Sequence, residues 1–100
     1  MARIAVDRER VAEFCRRHHI RTLSFFGSVL RDDFGPDSDV DVLVEFEPGQ
    51  TPGLFSIVEM EFELEEIFAV SRKVDLRTPF DLSRYFRDEV VASAQSLYAA

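Results

Sequence analysis

The chain has little cysteine, glycine or proline: one, four and four in 100 residues. A lone thiol, Cys15, cannot close a disulfide within the chain, and it suits a reducing, cytoplasmic setting. Sparse glycine and proline, with 46% hydrophobic and 31% charged residues, exclude a low-complexity or disordered chain. No apolar run approaches the roughly 20 residues that a membrane span requires. The opening MARIAVDRER holds no hydrophobic signal core, so neither membrane nor secretion is expected. Positive charge is also short, since 12 basic against 19 acidic residues leave a net charge of −7. Binding to a nucleic-acid backbone relies on Lys and Arg neutralising phosphates, so no direct nucleic-acid binding is expected. One domain over residues 1–100 accounts for the length.

What charge there is comes in runs. Arg8, Arg10, Arg16, Arg17 and Arg21 gather with His18 and His19, and Glu59, Glu61, Glu63, Glu65 and Glu66 gather further on. Such runs form solvated helix faces or a docking surface for a partner of opposite charge. Asp7 can cap a helix carrying Val11, Phe14, Cys15 and His18 at helical spacing. Residues 21–26 (RTLSFF) read as a strand, 28–33 as a short helix stopped by Gly35-Pro36, and 39–46 as a second strand. Beyond a turn-rich loop, Ile57, Met60, Leu64 and Ile67 predict an amphipathic helix over 54–70. Residues 73–77 (KVDLR) give a third strand. A last helix is expected over 82–98, with Val90, Ala94, Leu97 and Tyr98 inward. The order α-β-α-β-α-β-α predicts an α/β (α+β) domain with a small three-stranded mixed sheet flanked by helices.

Two aspartates stand out against that pattern. Asp39 and Asp41, in SDVDV, are two residues apart on one strand, so their side chains share a face. Adjacent carboxylates repel, and a half-buried pair needs a counter-charge. Mg²⁺ is suited to that part, because it prefers oxygen ligands and combines carboxylates with substrate phosphates. Asp75 lies at the centre of the third strand. If that strand adjoins the second, three carboxylates converge, enough for a site of two ions flanking a phosphoryl group. Gly27 and Ser28 precede the short helix, where glycine permits close backbone approach and serine adds a hydroxyl for phosphate. Arg31 is one turn further on.

The joint spacing of Gly27-Ser28, ten residues, then Asp39-Val40-Asp41 resembles the signature of the DNA polymerase beta-like nucleotidyltransferase superfamily. Arg31, three positions after the serine, and Ser38 before the first aspartate also fit that pattern. VDLRTP with Asp75, followed by Arg87-Asp88-Glu89-Val90, is similar to the stand-alone minimal nucleotidyltransferases, or MNT proteins. The resemblance implies the nucleotidyltransferase fold over nearly the whole chain. It further implies ATP as substrate, two Mg²⁺ ions on Asp39, Asp41 and Asp75, and phosphates held by Gly27, Ser28, Arg31 and Ser38. Many such proteins pair with a HEPN-domain RNase toxin. The implied role is then an antitoxin that transfers AMP to a tyrosine of that toxin, within a hetero-oligomer. Two alternatives share the motifs: a transferase acting on a small molecule such as an aminoglycoside, and an idle antitoxin acting by binding alone. The chain departs from the family in Leu30 and Asp32, where alanine and glycine are common, and in lacking a glycine between the long helix and the third strand.

Three features stay outside this scheme. His18 and His19 point to different helix faces and read as structural, and Cys15 reads as a packed thiol. Phe55, Val58 and Phe62 lie off the inward stripe of their helix, so they either fill the core or meet a partner.

Overall fold

Asp7 opens the first helix as its side chain suggests. Its carboxylate accepts hydrogen bonds from the Glu9 and Arg10 N–H groups at 3.1 and 3.2 Å, satisfying donors that a helix N-terminus leaves over. The computed structural model describes residues 4, 6–30, 35, 38–70 and 72–100. In it, α1 (Arg8–Arg17) leads to β1 (Ile20–Phe26), a 3-10 turn (Gly27–Leu30), β2 (Val40–Phe46) and α2 (Leu54–Ile67). There follow β3 (Val74–Arg77), a second 3-10 turn (Pro79–Asp81), α3 (Arg87–Ser93) and β4 (Gln95–Ala99). The sheet order is β3-β2-β1-β4, with β1 antiparallel to both β2 and β4 and β2 parallel to β3. The expected mixed sheet flanked by helices is present. α2 serves as the crossover that a parallel β2–β3 pair requires.

Alternation along the strands separates a core face from a polar one. Leu23 and Phe25, Val40, Val42 and Val44, and Val74 and Leu76 are buried with Val11, Phe14 and Cys15 of α1 and Met60, Leu64 and Ile67 of α2. Burial pushes the Cys15 thiol up to about 12, so it is a packed hydrophobe and not a nucleophile. The alternation of β2 turns Asp41 to the face opposite these valines, together with Leu43.

One expectation is corrected. The sheet has four strands, not three: the helix expected over 82–98 is only α3, and Gln95–Ala99 instead pairs with β1. β1 would otherwise present an open edge of unpaired N–H and C=O groups, and the C-terminal segment satisfies it while burying Leu97. α3 starts late because Thr78 and Asp81 close a capping box around the preceding turn. Arg87 then ties that turn down, donating to the Pro79 carbonyl at 2.7 Å and the Leu82 carbonyl at 3.3 Å. Of the short helix expected over 28–33, the described part is a 3-10 turn over Gly27–Leu30, and residues 31–33 lie outside the described residues.

The missing glycine after α2 has a visible consequence. Ala69 takes the left-handed conformation, φ 53°, and its N–H donates to the Glu66 carbonyl while Val70 N–H donates to that of Glu65. This is the Schellman arrangement, which glycine adopts without the Cβ penalty. Ala69→Gly is therefore expected to stabilise the domain by about 1 kcal/mol, measured as a higher midpoint in urea unfolding with unchanged slope.

The charge runs partly answer each other. Arg17 of α1 donates to Glu63 of α2, and His18 Nε2 lies 3.1 Å from the same carboxylate while its ring packs on Phe14. Burial raises the Glu63 pKa, but the bonds from Arg17 and His18 outweigh it and leave the value below its usual range. His19, exposed with φ 56°, forms the turn into β1. Among the described residues no helix is long and apolar enough to cross a membrane.

Candidate active site

The pairing of β2 with β3 puts Asp41 opposite Asp75. Partners in a parallel ladder point to one face, and neighbouring strands lie about 4.8 Å apart, so the two carboxylates share a patch. Asp39, exposed, directly precedes β2. Gly27 leaves β1 at φ 72°, and a Cβ added there would stand 2.5 Å from Asp41 Oδ2. The glycine thus both permits the turn and keeps the space the carboxylate occupies. Ser28 lies beside Asp39, its Oγ 3.5 Å from the Asp39 carbonyl oxygen, at the outer limit of a hydrogen bond. Gly27-Ser28 and Asp39-Val40-Asp41, separated by ten residues of chain, meet in space.

Like charges so placed need compensation, and Arg77 supplies part of it. Its Nη2 donates to Asp75 Oδ2 at 3.0 Å. The bond and charge of Asp75, with weaker pulls from Asp81 and Asp41, raise the Arg77 pKa above its ordinary value. Among the described residues no three acidic, imidazole or thiol side chains are gathered closely enough to hold an ion. The donor chemistry nonetheless suits one. Asp41 and Asp75 offer hard oxygen ligands on paired strands, and Asp39 offers a third one residue before β2.

Two depressions flank the patch. A cleft of about 820 Å³ adjoins Gly27 and is lined by Phe26, Leu30, Phe86, Glu89, Val90 and Gln95. It has the size of a small-molecule site, with two aromatic walls. A groove of about 540 Å³ runs from Leu54, Ile57 and Val58 on α2 to Asp75 and Arg77.

Of the residues expected from the sequence, the structure sets Asp41 opposite Asp75 and against Gly27, and Ser28 beside the backbone carbonyl of Asp39. Ser38, next to Asp39, is bonded to Gly35: its Oγ accepts from the Gly35 N–H at 3.1 Å, and its N–H donates to the Gly35 carbonyl at 3.1 Å. Arg31 lies outside the described residues. Sequence reasoning missed Arg77, although its position two residues after Asp75 on a strand was enough to place it on the same face. It also missed Glu61. β3 is an edge strand, and Glu61 Oε2 accepts the Leu76 N–H at 2.8 Å, fastening to α2 the strand that carries Asp75. No local signal announces that contact.

A four-stranded mixed sheet on which Gly-Ser and Asp-x-Asp close beside a third strand aspartate defines a nucleotidyl-transferring domain. The chain belongs to the nucleotidyltransferase domain family, whose model matches residues 8–97. It is 29% identical over 87 residues to a Methanocaldococcus jannaschii protein with the provisional name protein adenylyltransferase MJ0435, spanning 87% of this chain and 89% of that one. It is 39% identical over 64 residues to protein adenylyltransferase MntA of Thermococcus cleftensis, spanning 64% of this chain and 61% of that one. Among solved structures, one described provisionally as a minimal nucleotidyltransferase is 36% identical, with a TM-score of 0.66 over 87% of this chain and 85% of that one. A toxin–antitoxin crystal structure with AMP-PNP has a TM-score of 0.70 over 95% of this chain and 75% of that one; at 20% identity it speaks for the fold alone.

Proposed function

We propose that the chain is an antitoxin that adenylylates a protein: it transfers AMP from ATP to a tyrosine hydroxyl of a cognate HEPN-domain RNase toxin and so silences it. The observation that carries this reading is the register of Asp41 against Asp75 with Gly27 closed over Asp41. The names of its relatives, protein adenylyltransferases, supply the reaction class. Asp39, Asp41 and Asp75 would hold Mg²⁺, which when bound neutralises phosphate charge and stabilises the charge that develops on transfer. Gly27 lets the triphosphate approach the backbone, Ser28 Oγ donates to a phosphate oxygen, and the cleft beside Gly27 takes the nucleoside between Phe26 and Phe86. The acceptor oxygen attacks the α-phosphorus, the bond to the β-phosphate's bridging oxygen breaks, and pyrophosphate leaves. The Asp75 carboxylate takes the hydroxyl proton, and Arg77 holds that carboxylate in place meanwhile. Positioning and electrostatics then supply most of the acceleration.

ATP labelled at either the α- or the γ-phosphate tests the reading. With the cognate toxin and Mg²⁺, label from the α-position should appear on the toxin and label from the γ-position in pyrophosphate. Labelling of an added aminoglycoside with the toxin left unlabelled would point instead to a small-molecule acceptor. An unlabelled toxin whose RNase is still silenced would point to inhibition by contact alone.

A further inference from the structure

α2 buries one side and leaves the other bare. Leu54 is 77% exposed, Phe55 87%, Val58 39% and Phe62 62%, while Met60, Leu64 and Ile67 are buried. At helical spacing the four exposed residues form one stripe, opposite the buried one. Four large apolar side chains left in water on a single helix mark an interaction site. The stripe has a charged rim of one sign: Glu59 and Glu66 border it on one side and Glu61 on the other, and α2 contains no lysine or arginine. Its N-terminal end also opens into the groove that leads past Ile57 to Asp75 and Arg77.

We infer that this stripe and groove are the docking surface for the protein acceptor, an inference that rests on the proposed adenylylation. The occupant is a toxin surface with apolar anchors and a rim of Lys and Arg. The anchors cover Phe55, Val58 and Phe62, the basic rim meets Glu59 and Glu66, and the acceptor hydroxyl enters along the groove to Asp75. Charge and symmetry decide between this occupant and a second copy of the chain. Two α2 helices face to face would set Glu59 and Glu66 against the same carboxylates. The arginine-rich α1 of a second copy offers no apolar complement, because its Val11, Phe14 and Cys15 are buried, and the exposed Phe80, Tyr85 and Phe86 of that copy would meet the stripe only head to tail, in a contact that does not close into a dimer. An acceptor seated here also explains how one small domain reaches a large substrate, since the groove ends at the carboxylate patch.

The test uses the full chain and its cognate toxin. Phe55→Glu with Phe62→Glu changes exposed side chains outside the carboxylate patch. The pair is expected to weaken the complex by at least about tenfold in titration calorimetry, with the ATP·Mg²⁺-induced rise in melting temperature unchanged. Glu59→Gln with Glu66→Gln is expected to flatten the salt dependence of the wild-type complex. Equal affinity of Phe55→Glu, Phe62→Glu and wild type would overturn the inference. So would a dimer of the isolated chain, seen by sedimentation, that these substitutions break. Intact mass of the toxin from the same mixtures keeps the two claims apart. A toxin that binds through α2 yet stays unmodified sinks the adenylylation and not the surface, whereas equal modification by variant and wild type sinks the surface alone.

Discussion

Replacing Asp39 and Asp41 together by alanine is expected to lower AMP transfer by about 10³-fold or more, some 4 kcal/mol of lost transition-state stabilisation, while the domain stays folded. Neither side chain belongs to the core: Asp39 is exposed and Asp41 is half-buried on the face opposite Val40, Val42 and Val44. Without an ion the carboxylates repel one another, with Arg77 bonded to Asp75 as a partial remedy. The double variant should therefore keep a cooperative thermal transition when no metal is present. Mg²⁺ plus ATP should then stabilise the wild type and leave the double variant where it was. Single-turnover transfer and thermal unfolding, run on the same preparations, separate loss of the site from loss of the fold.

Gly27→Ala should harm both fold and site, each for its own reason. At φ 72° an L-residue meets a steric penalty, about 1–2 kcal/mol in stability. The new methyl would also lie 2.5 Å from Asp41 Oδ2, a contact relieved only if the carboxylate moves. Displacement of a reacting group by about 1 Å commonly costs some 10²-fold in rate. A lower urea midpoint with at least that loss in transfer is the expected result; full activity would mean that Asp41 has no fixed part in the reaction. Ala69→Gly makes the contrast, because there the same left-handed conformation is held by a residue with a Cβ. The two substitutions should move stability in opposite directions.

Asp39, Asp41 and Asp75 were legible in the sequence because each breaks the apolar logic of its strand, and strand parity alone fixes their faces. For Asp41 to meet Asp75 the second and third strands had to be adjacent, and the parallel β2–β3 pair meets that condition. The C-terminal segment was not legible. Val90, Ala94 and Leu97 fit a helical period, and only the open edge of β1 decides that residues beyond 94 pair as a strand. Glu61 was hidden for a similar reason, since its partner is a backbone N–H of an edge strand that no pattern within α2 foretells. Phe55, Val58 and Phe62 were readable as lying off the inward stripe, but whether they fill a core or face water depended on what packs over α2. Burial decides for water. The arginine and glutamate runs had been open between solvated faces and a partner surface. Glu63 shows that part of that charge is spent inside the molecule, on Arg17 and His18.

The measurement that bears most directly on the central claim is intact mass spectrometry of the cognate toxin after incubation with this chain, ATP and Mg²⁺. The wild type should leave the toxin heavier by one or more AMP units, on tyrosine, with its RNase activity lost. The Asp39→Ala, Asp41→Ala variant should leave it unchanged in mass and active. A toxin of unaltered mass with the wild type, or one modified equally by the double variant, would contradict the account.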